Sequence, residues 1–241
     1  MDKSLKSILD DSKHDQAKAE ILTFNDYISL VKKEPWTTRN SSQVLHDMLL
    51  SSGTEHKMVS GKPVKHLYKF FEDSKFVGGS VVFGQQKAKE NLVEKIDNAS
   101  RGGEAAKRLW ILLGPPGSAK SRSMDAIKNA LKEYSLSDDG KTYTLLLPTV
   151  DERLKDKALF EEKGIYYLQS PLFERPLQVI PESKRKTFAA ELNKLIDAKS
   201  LSNFHAKYPH YDGKFEIRIE GRISPYSDFV LQDFMKTRNI D

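Results

Sequence analysis

The sequence predicts an α/β fold built on a parallel sheet, with a helical segment before it and an aromatic-rich stretch after it. Three observations carry this reading. Residues 109–121 read Leu-Trp-Ile-Leu-Leu-Gly-Pro-Pro-Gly-Ser-Ala-Lys-Ser: an apolar run opening into a Gly/Pro loop that ends in lysine and serine. The residues behind the loop place Met124, Ile127, Ala130 and Leu131 at helical spacing. Short apolar runs at 142–147 and 165–168 then alternate with helix-like stretches, whereas the first hundred residues read as helices.

Taken in order, residues 4–21 are polar and weakly periodic, a loose helix or tail. Thr23 opens a helix that sets Phe24, Tyr27, Leu30 and Val31 on one face, and Glu34-Pro35 closes it. A second helix over 42–50 carries Val44, Leu45, Met48 and Leu49, with Gly53 placed as its C-terminal cap. Residues 64–71 predict a third, shorter helix. Gly78-Gly79 breaks the chain before Val81-Val82-Phe83-Gly84-Gln85. A helix over 86–99 follows, with Ala88, Leu92, Val93 and Ile96 in register.

Residues 108–113 predict a strand, and 122–134 a helix whose apolar stripe packs on the sheet. Ser137-Asp138-Asp139-Gly140 is a turn. Residues 142–147 predict a strand stopped by Pro148, 153–162 a short helix, and 165–168 another strand. The prolines at 171, 176 and 181 predict an extended stretch. A helix over 183–198 turns Phe188, Leu192, Leu195 and Ile196 inward. The remainder is aromatic and irregular. These breaks divide the chain into a helical region over 1–77, a nucleotide-binding core over 78–181 and a tail or insertion over 182–241.

The loop Gly114-Pro115-Pro116-Gly117-Ser118-Ala119-Lys120-Ser121 carries the chemistry. Strand, glycine-rich loop and helix in that order make a phosphate cradle. Gly114 and Gly117 let the backbone approach phosphate oxygens. Loop amides and the helix N-terminus turn positive partial charge toward an anion. Lys120 reaches the β- and γ-phosphates of ATP, and the Ser121 hydroxyl joins the shell of Mg²⁺. Ala119 stands where glycine is usual. Placed in the first helical turn it costs nothing, and that is the expectation here. Held at positive φ, its Cβ would cost roughly 1 kcal/mol.

Composition narrows the alternatives. The 241 residues contain no cysteine, which excludes disulfides, thiolate metal sites and cysteine nucleophiles. No apolar run approaches the ~20 residues that cross a bilayer, and residues 1–6 form no secretory signal, both compatible with a cytoplasmic location. The net charge of +5 comes from lysines interleaved with acids, which reads as a solvated surface rather than a nucleic-acid face. His205 and His210 match no metal-binding spacing and read as surface or packed residues.

Several segments together resemble the AAA+ region of PrkA-type serine protein kinases. Residues 23–35 (TFNDYISLVKKEP) are similar to that family's F-x-x-Y-L-x-x-V-x-x-x-P helix. The resemblance continues through 42–49 (SQVLHDML), Tyr68-Lys69-Phe70-Phe71, the segment around Phe83 and Gly84, and the loop. It ends at 170–181 (SPLFERPLQVIP), similar to C-P-x-x-E-x-P-L-x-L-I-P, with Ser170 in place of the cysteine.

This resemblance implies a P-loop NTPase core that binds ATP and Mg²⁺, with Phe83 and Gly84 bordering the adenine. It also implies a transferase acting on serine of a protein substrate, and assembly into a homo-oligomeric ring. The Ala119-Lys120-Ser121 ending is also similar to the MoxR-type AAA+ chaperones, a second reading. A non-catalytic ATP-binding interaction protein is a third. The third draws on a missing feature: no run of four apolar residues followed by Asp-Glu comes after the loop. The nearest, 145–152 (LLLPTVDE), is interrupted by Pro148 and Thr149. The expectation is therefore a chain that stops inside the family's insertion, without the carboxylates of catalysis and with little ATP turnover of its own.

Overall fold

The computed structural model describes residues 21–59, 62–72 and 85–239. The loose helix expected over 4–21 lies outside them except for its last residue, and so does the Val81–Gly84 segment.

Capping chemistry starts the first helices where the sequence places them. Helix α1 (Phe24–Lys33) begins at Thr23, whose hydroxyl accepts from the Asp26 amide at 3.2 Å, and Pro35 forces a 3₁₀ turn beyond it. It buries Tyr27 and Val31, while Phe24 stays exposed. Helix α2 (Ser41–Ser51) opens with a reciprocal capping box between Asn40 and Gln43 at 2.9 and 2.8 Å. It ends at Gly53, which adopts φ +85° and donates to the Leu50 carbonyl at 2.8 Å.

The helix expected over 64–71 is instead a hairpin. Strands β1 (Thr54–Val59) and β2 (Lys62–Tyr68) pair antiparallel, and a 3₁₀ turn over Lys69–Glu72 follows. Val64, Leu67, Tyr68 and Phe71 have helical spacing, but Val59 lies opposite Lys62, and the sequence between them, Ser-Gly, is a turn signal. That local turn signal outranks periodicity over so short a stretch.

Helices α3 (Gln86–Ser100) and α4 (Lys120–Ser135) pack with α2. Met48 and Leu49, Phe70 and Phe71, Val93 and Ile96, and Ala126, Ile127 and Ala130 form one core. The stripe of α4 therefore packs on helices rather than on a sheet. Met124 and Ala88, expected inside, are exposed.

The largest departure is at residues 108–113, which form no strand. Leu109 is 89% and Leu113 88% exposed. Trp110 is held, its indole N–H donating to the Ala105 carbonyl at 3.0 Å. An apolar run signals a need for cover without specifying what covers it. Among the described residues, the strands that form pair with near neighbours in sequence.

All described pairings are antiparallel, in contrast to the parallel sheet expected. Strands β3 (Leu146–Thr149), β4 (Phe160–Glu162) and β5 (Ile165–Gln169) lie in the order β3-β5-β4. Lys163 (φ +51°) and Gly164 (φ +74°) make the two-residue turn of the β4–β5 hairpin. Pro148 does not stop β3 but lies within it, opposite Tyr167. An edge strand tolerates that, because the missing N–H can face away from the ladder. The helix expected over 153–162 is a 3₁₀ turn, Glu152–Lys157, followed by β4. The extended stretch 171–181 contains a further 3₁₀ turn at Pro176–Val179.

Helix α5 (Glu182–Lys194) stops earlier than the sequence suggests, leaving Leu195 exposed. The aromatic stretch is more regular than expected: it forms α6 (Ala198–Lys207) and α7 (Pro225–Thr237). Phe204, Tyr208, Phe215 and Ile217 close over Tyr27 and Val31 of α1, and α7 covers the β3–β5 sheet through Val230. No helix among the described residues is long and apolar enough to cross a membrane.

Candidate nucleotide-binding loop and a buried polar hub

Residues 114–119 form an irregular loop that delivers the chain to α4, which starts at Lys120. Gly117 has φ +76° and open space where a Cβ would point. At Gly114 a Cβ would sit 3.1 Å from Ser118 Oγ and 3.7 Å from Lys120 Nζ, so glycine permits the close packing of the loop on itself. Ala119 has φ +57° and ψ +16°, a left-handed conformation outside the helix. This corrects the expectation that it lies in the first helical turn. The position requires what glycine supplies freely, and alanine occupies it against its Cβ. Its carbonyl accepts from the Ser123 amide at 2.9 Å, the first bond of α4.

Lys120 folds back over the loop. Its Nζ donates to the carbonyls of Gly114 and Pro115 and to Ser118 Oγ, each at 2.8 Å. Three N–H donors thus meet three acceptors, all neutral. A phosphate oxygen offers the same ammonium a charge-assisted bond about twice as strong. Pro115, Pro116 and Ser121 are exposed at the mouth of the loop. Phe83 and Gly84 lie outside the described residues.

The Asp151-Glu152 pair lies elsewhere in the fold, after the edge strand β3. Asp151 caps the 3₁₀ turn, and its carboxylate accepts from the Arg153 side chain at 2.9 and 3.1 Å from Nε and 2.8 Å from Nη2. Hydrogen bonds from Arg153 hold its pKa below the usual carboxylate range.

A second polar constellation has no signature in the sequence. Asp47, on α2, is fully buried and accepts from the Arg39 guanidinium, from Tyr211 Oη at 3.1 Å and from His210 Nε2 at 2.6 Å. Arg39 is 1% exposed and also donates to the Asp139 carbonyl. Burial works against its charge, but Asp47 together with Tyr134 and Tyr208 outweighs burial and raises its pKa. His46 lies beside this pair, 4% exposed, its ring edge-on to that of His210 with centroids 4.9 Å apart. Burial first, and then the neighbouring His210, push its pKa down to about 4. His205 lies apart, its Nε2 facing the Phe215 amide at 3.4 Å. His210 and Asp47 are 163 residues apart, so no spacing rule could have joined them.

A third cluster ties α7 down. Glu174 accepts from Ser170 Oγ at 2.6 Å, from the Ser224 amide and from Ser227 Oγ. Burial raises its pKa, but those hydrogen bonds together outweigh burial and hold it below the usual value.

A glycine-rich loop that ends in lysine at the first residue of a helix belongs to the P-loop nucleoside triphosphatases, and the comparisons refine this to the AAA type. The chain belongs to the PrkA AAA-domain family: the family model described as "PrkA AAA domain" matches residues 22–199, well over half of it. A curated relative, the ATP-dependent protease PrkA of Bacillus subtilis (strain 168), is 26% identical over 212 residues. The aligned region covers 88% of this chain and 25% of the relative, so the chain spans about a quarter of that protein's length. No solved structure matches.

Proposed function

We propose that residues 114–121 bind ATP with Mg²⁺, as the nucleotide-binding region of a PrkA-like protein that acts on other proteins. On this reading the loop amides and the N-terminus of α4 cradle the phosphates. Lys120 exchanges its carbonyl partners for phosphate oxygens, and Ser121 contributes to Mg²⁺. Phe83 and Gly84 border the adenine. The observation that carries the reading is Lys120, which starts α4 and is folded over its own loop by three bonds to neutral acceptors. The ammonium is thereby stationed where a phosphate would compete for it.

Calorimetric titration with Mg-ATP tests the assignment. Lys120→Ala should weaken binding by one to two decades, since a hydrogen bond to a charged group is worth about 1.5–3 kcal/mol. Equal affinities in the two proteins would dismiss it.

We further propose that this chain alone turns ATP over slowly or not at all. Phosphoryl transfer needs carboxylates to hold the metal and orient the nucleophile, and in the Asp-Glu pair nearest in sequence Asp151 is committed to a turn cap and to Arg153. The relative's name, an ATP-dependent protease, and the resemblance to serine kinases give two protein-directed activities to assay together. Casein incubated with the chain and ATP should yield neither phosphoserine nor peptides beyond the Lys120→Ala background. Steady turnover near about 1 s⁻¹, abolished by Lys120→Ala, would contradict this and single out Glu152 for substitution.

A further inference from the structure

We propose that His46, Asp47 and His210 form a site for one Zn²⁺-type transition-metal ion that clips the turn at residues 209–211 to helix α2. Each residue offers one ligand atom, and these atoms all lie within 4.8 Å of one another. Two come from adjacent positions on a capped helix, and the third arrives from the far end of the chain. The site is independent of the nucleotide reading.

His46 argues for a ligand role. Its side chain is 95% buried, yet Nδ1 makes no hydrogen bond. Buried polar atoms are nearly always paired, so an orphaned ring nitrogen calls for a reason. Here a second imidazole lies against the ring and a carboxylate occupies the next residue. Two imidazoles and one carboxylate suit Zn²⁺, and suit Mg²⁺ or Ca²⁺ poorly, because those ions prefer oxygen. A metal ion at His210 Nε2 would replace that nitrogen's hydrogen bond to Asp47 Oδ1, while the other oxygen of Asp47 keeps Arg39 and Tyr211.

The surroundings tolerate a cation. Arg39 and Arg101 are near, but Asp47 pairs with the first, and Asp97 and Asp212 pair with the second. Two guanidinium groups thus face three carboxylates. Asp97 Oδ1 also stands 3.7 Å from His46 Nδ1, so a negative charge lies beside the nitrogen that would hold the ion.

The test uses the full chain without a histidine tag, stripped with chelator and free of nucleotide. Titration with Zn²⁺, and with Co²⁺ as a spectroscopic substitute, should give one ion per chain. A raised Tm and the visible d–d absorption of a low-symmetry Co²⁺ site should accompany it. His46→Gln and His210→Ala should lose the absorption, and Asp97→Asn should weaken binding about tenfold. Lys120→Ala should leave the site intact, which separates it from any Mg²⁺ at the loop. Far-UV circular dichroism confirms that each variant is folded. If His210→Ala does not fold, His210→Gln, which keeps a donor for Asp47, replaces it. Failure of the wild-type chain to bind stoichiometrically would overturn the proposal, as would an unchanged Co²⁺ spectrum in a folded His210 variant.

Discussion

Lys120 and Asp47 are both charged groups with their hydrogen bonds made, and they differ in where the partners come from. Lys120 is held by Gly114, Pro115 and Ser118, none more than six residues away, at a half-exposed loop. Asp47 is held by Arg39, His210 and Tyr211, up to 164 residues away, out of contact with water. The first set can be exchanged for a ligand at little cost, because solvent and loop carbonyls are near equivalents. The second cannot be vacated without a replacement of matching charge, because a lost partner leaves a buried charge uncompensated. A local, exposed polar cluster is suited to reversible binding of a solvent-borne anion, whereas a remote, buried one fastens the fold.

Breaking the buried side should have the largest effect. Asp47→Ala leaves Arg39 buried without its carboxylate and should cost about 3–5 kcal/mol, measured by urea unfolding. A loss within about 0.5 kcal/mol, the size of an ordinary surface change, would erase the contrast. On the loop side, Lys120→Ala should leave the urea midpoint nearly unchanged while lowering ATP affinity as described above. The same two variants thus separate stability from binding in opposite directions.

A third experiment asks whether a buried cluster of intermediate span behaves like the hub. Ser170→Ala removes a donor to the Glu174 carboxylate and should cost about 1–2 kcal/mol. The Glu174 pKa is depressed in the folded chain, so the native state binds fewer protons than the unfolded state in the acid range. Its contribution is therefore complete above the ordinary carboxylate pKa and is lost as pH falls through the folded value. Glu174→Gln should flatten the acid limb of a stability-versus-pH curve and leave the slope at neutral pH alone.

The smallest effect sharpens the picture of the loop. Ala119→Gly relieves a left-handed alanine and should stabilise the chain by up to about 1 kcal/mol, read as a small rise in Tm. A fall in Tm would mean that the loop does not hold Ala119 at positive φ.

Much of this was legible because it is local. Thr23, Asn40 and Gly53 bound their helices through bonds to residues three or four positions away, and the order of loop and lysine-led helix follows from the loop's own residues. The hairpin at 54–68 was legible in principle, since Ser60-Gly61 is a turn signal, but the spacing of Val64, Leu67 and Tyr68 pointed to a helix. The left-handed state of Ala119 was not legible, because a side chain does not report which of two backbone wells its neighbours impose.

By itself the sequence determined the phosphate-loop motif, the caps and ends of the first helices, and the strand at 165–168. Each of these is encoded by residues within a turn or two of one another. Only the tertiary structure decided that Leu109, Ile111, Leu112 and Leu113 stay uncovered among the described residues, and that the strands pair antiparallel with Pro148 at an edge. It alone brought Arg39, Asp47, His210 and Tyr211 into one buried hub. The reason is physical. Burial and pairing depend on which surfaces meet after the chain has closed loops of a hundred residues or more, and no window of sequence contains both sides of such a contact.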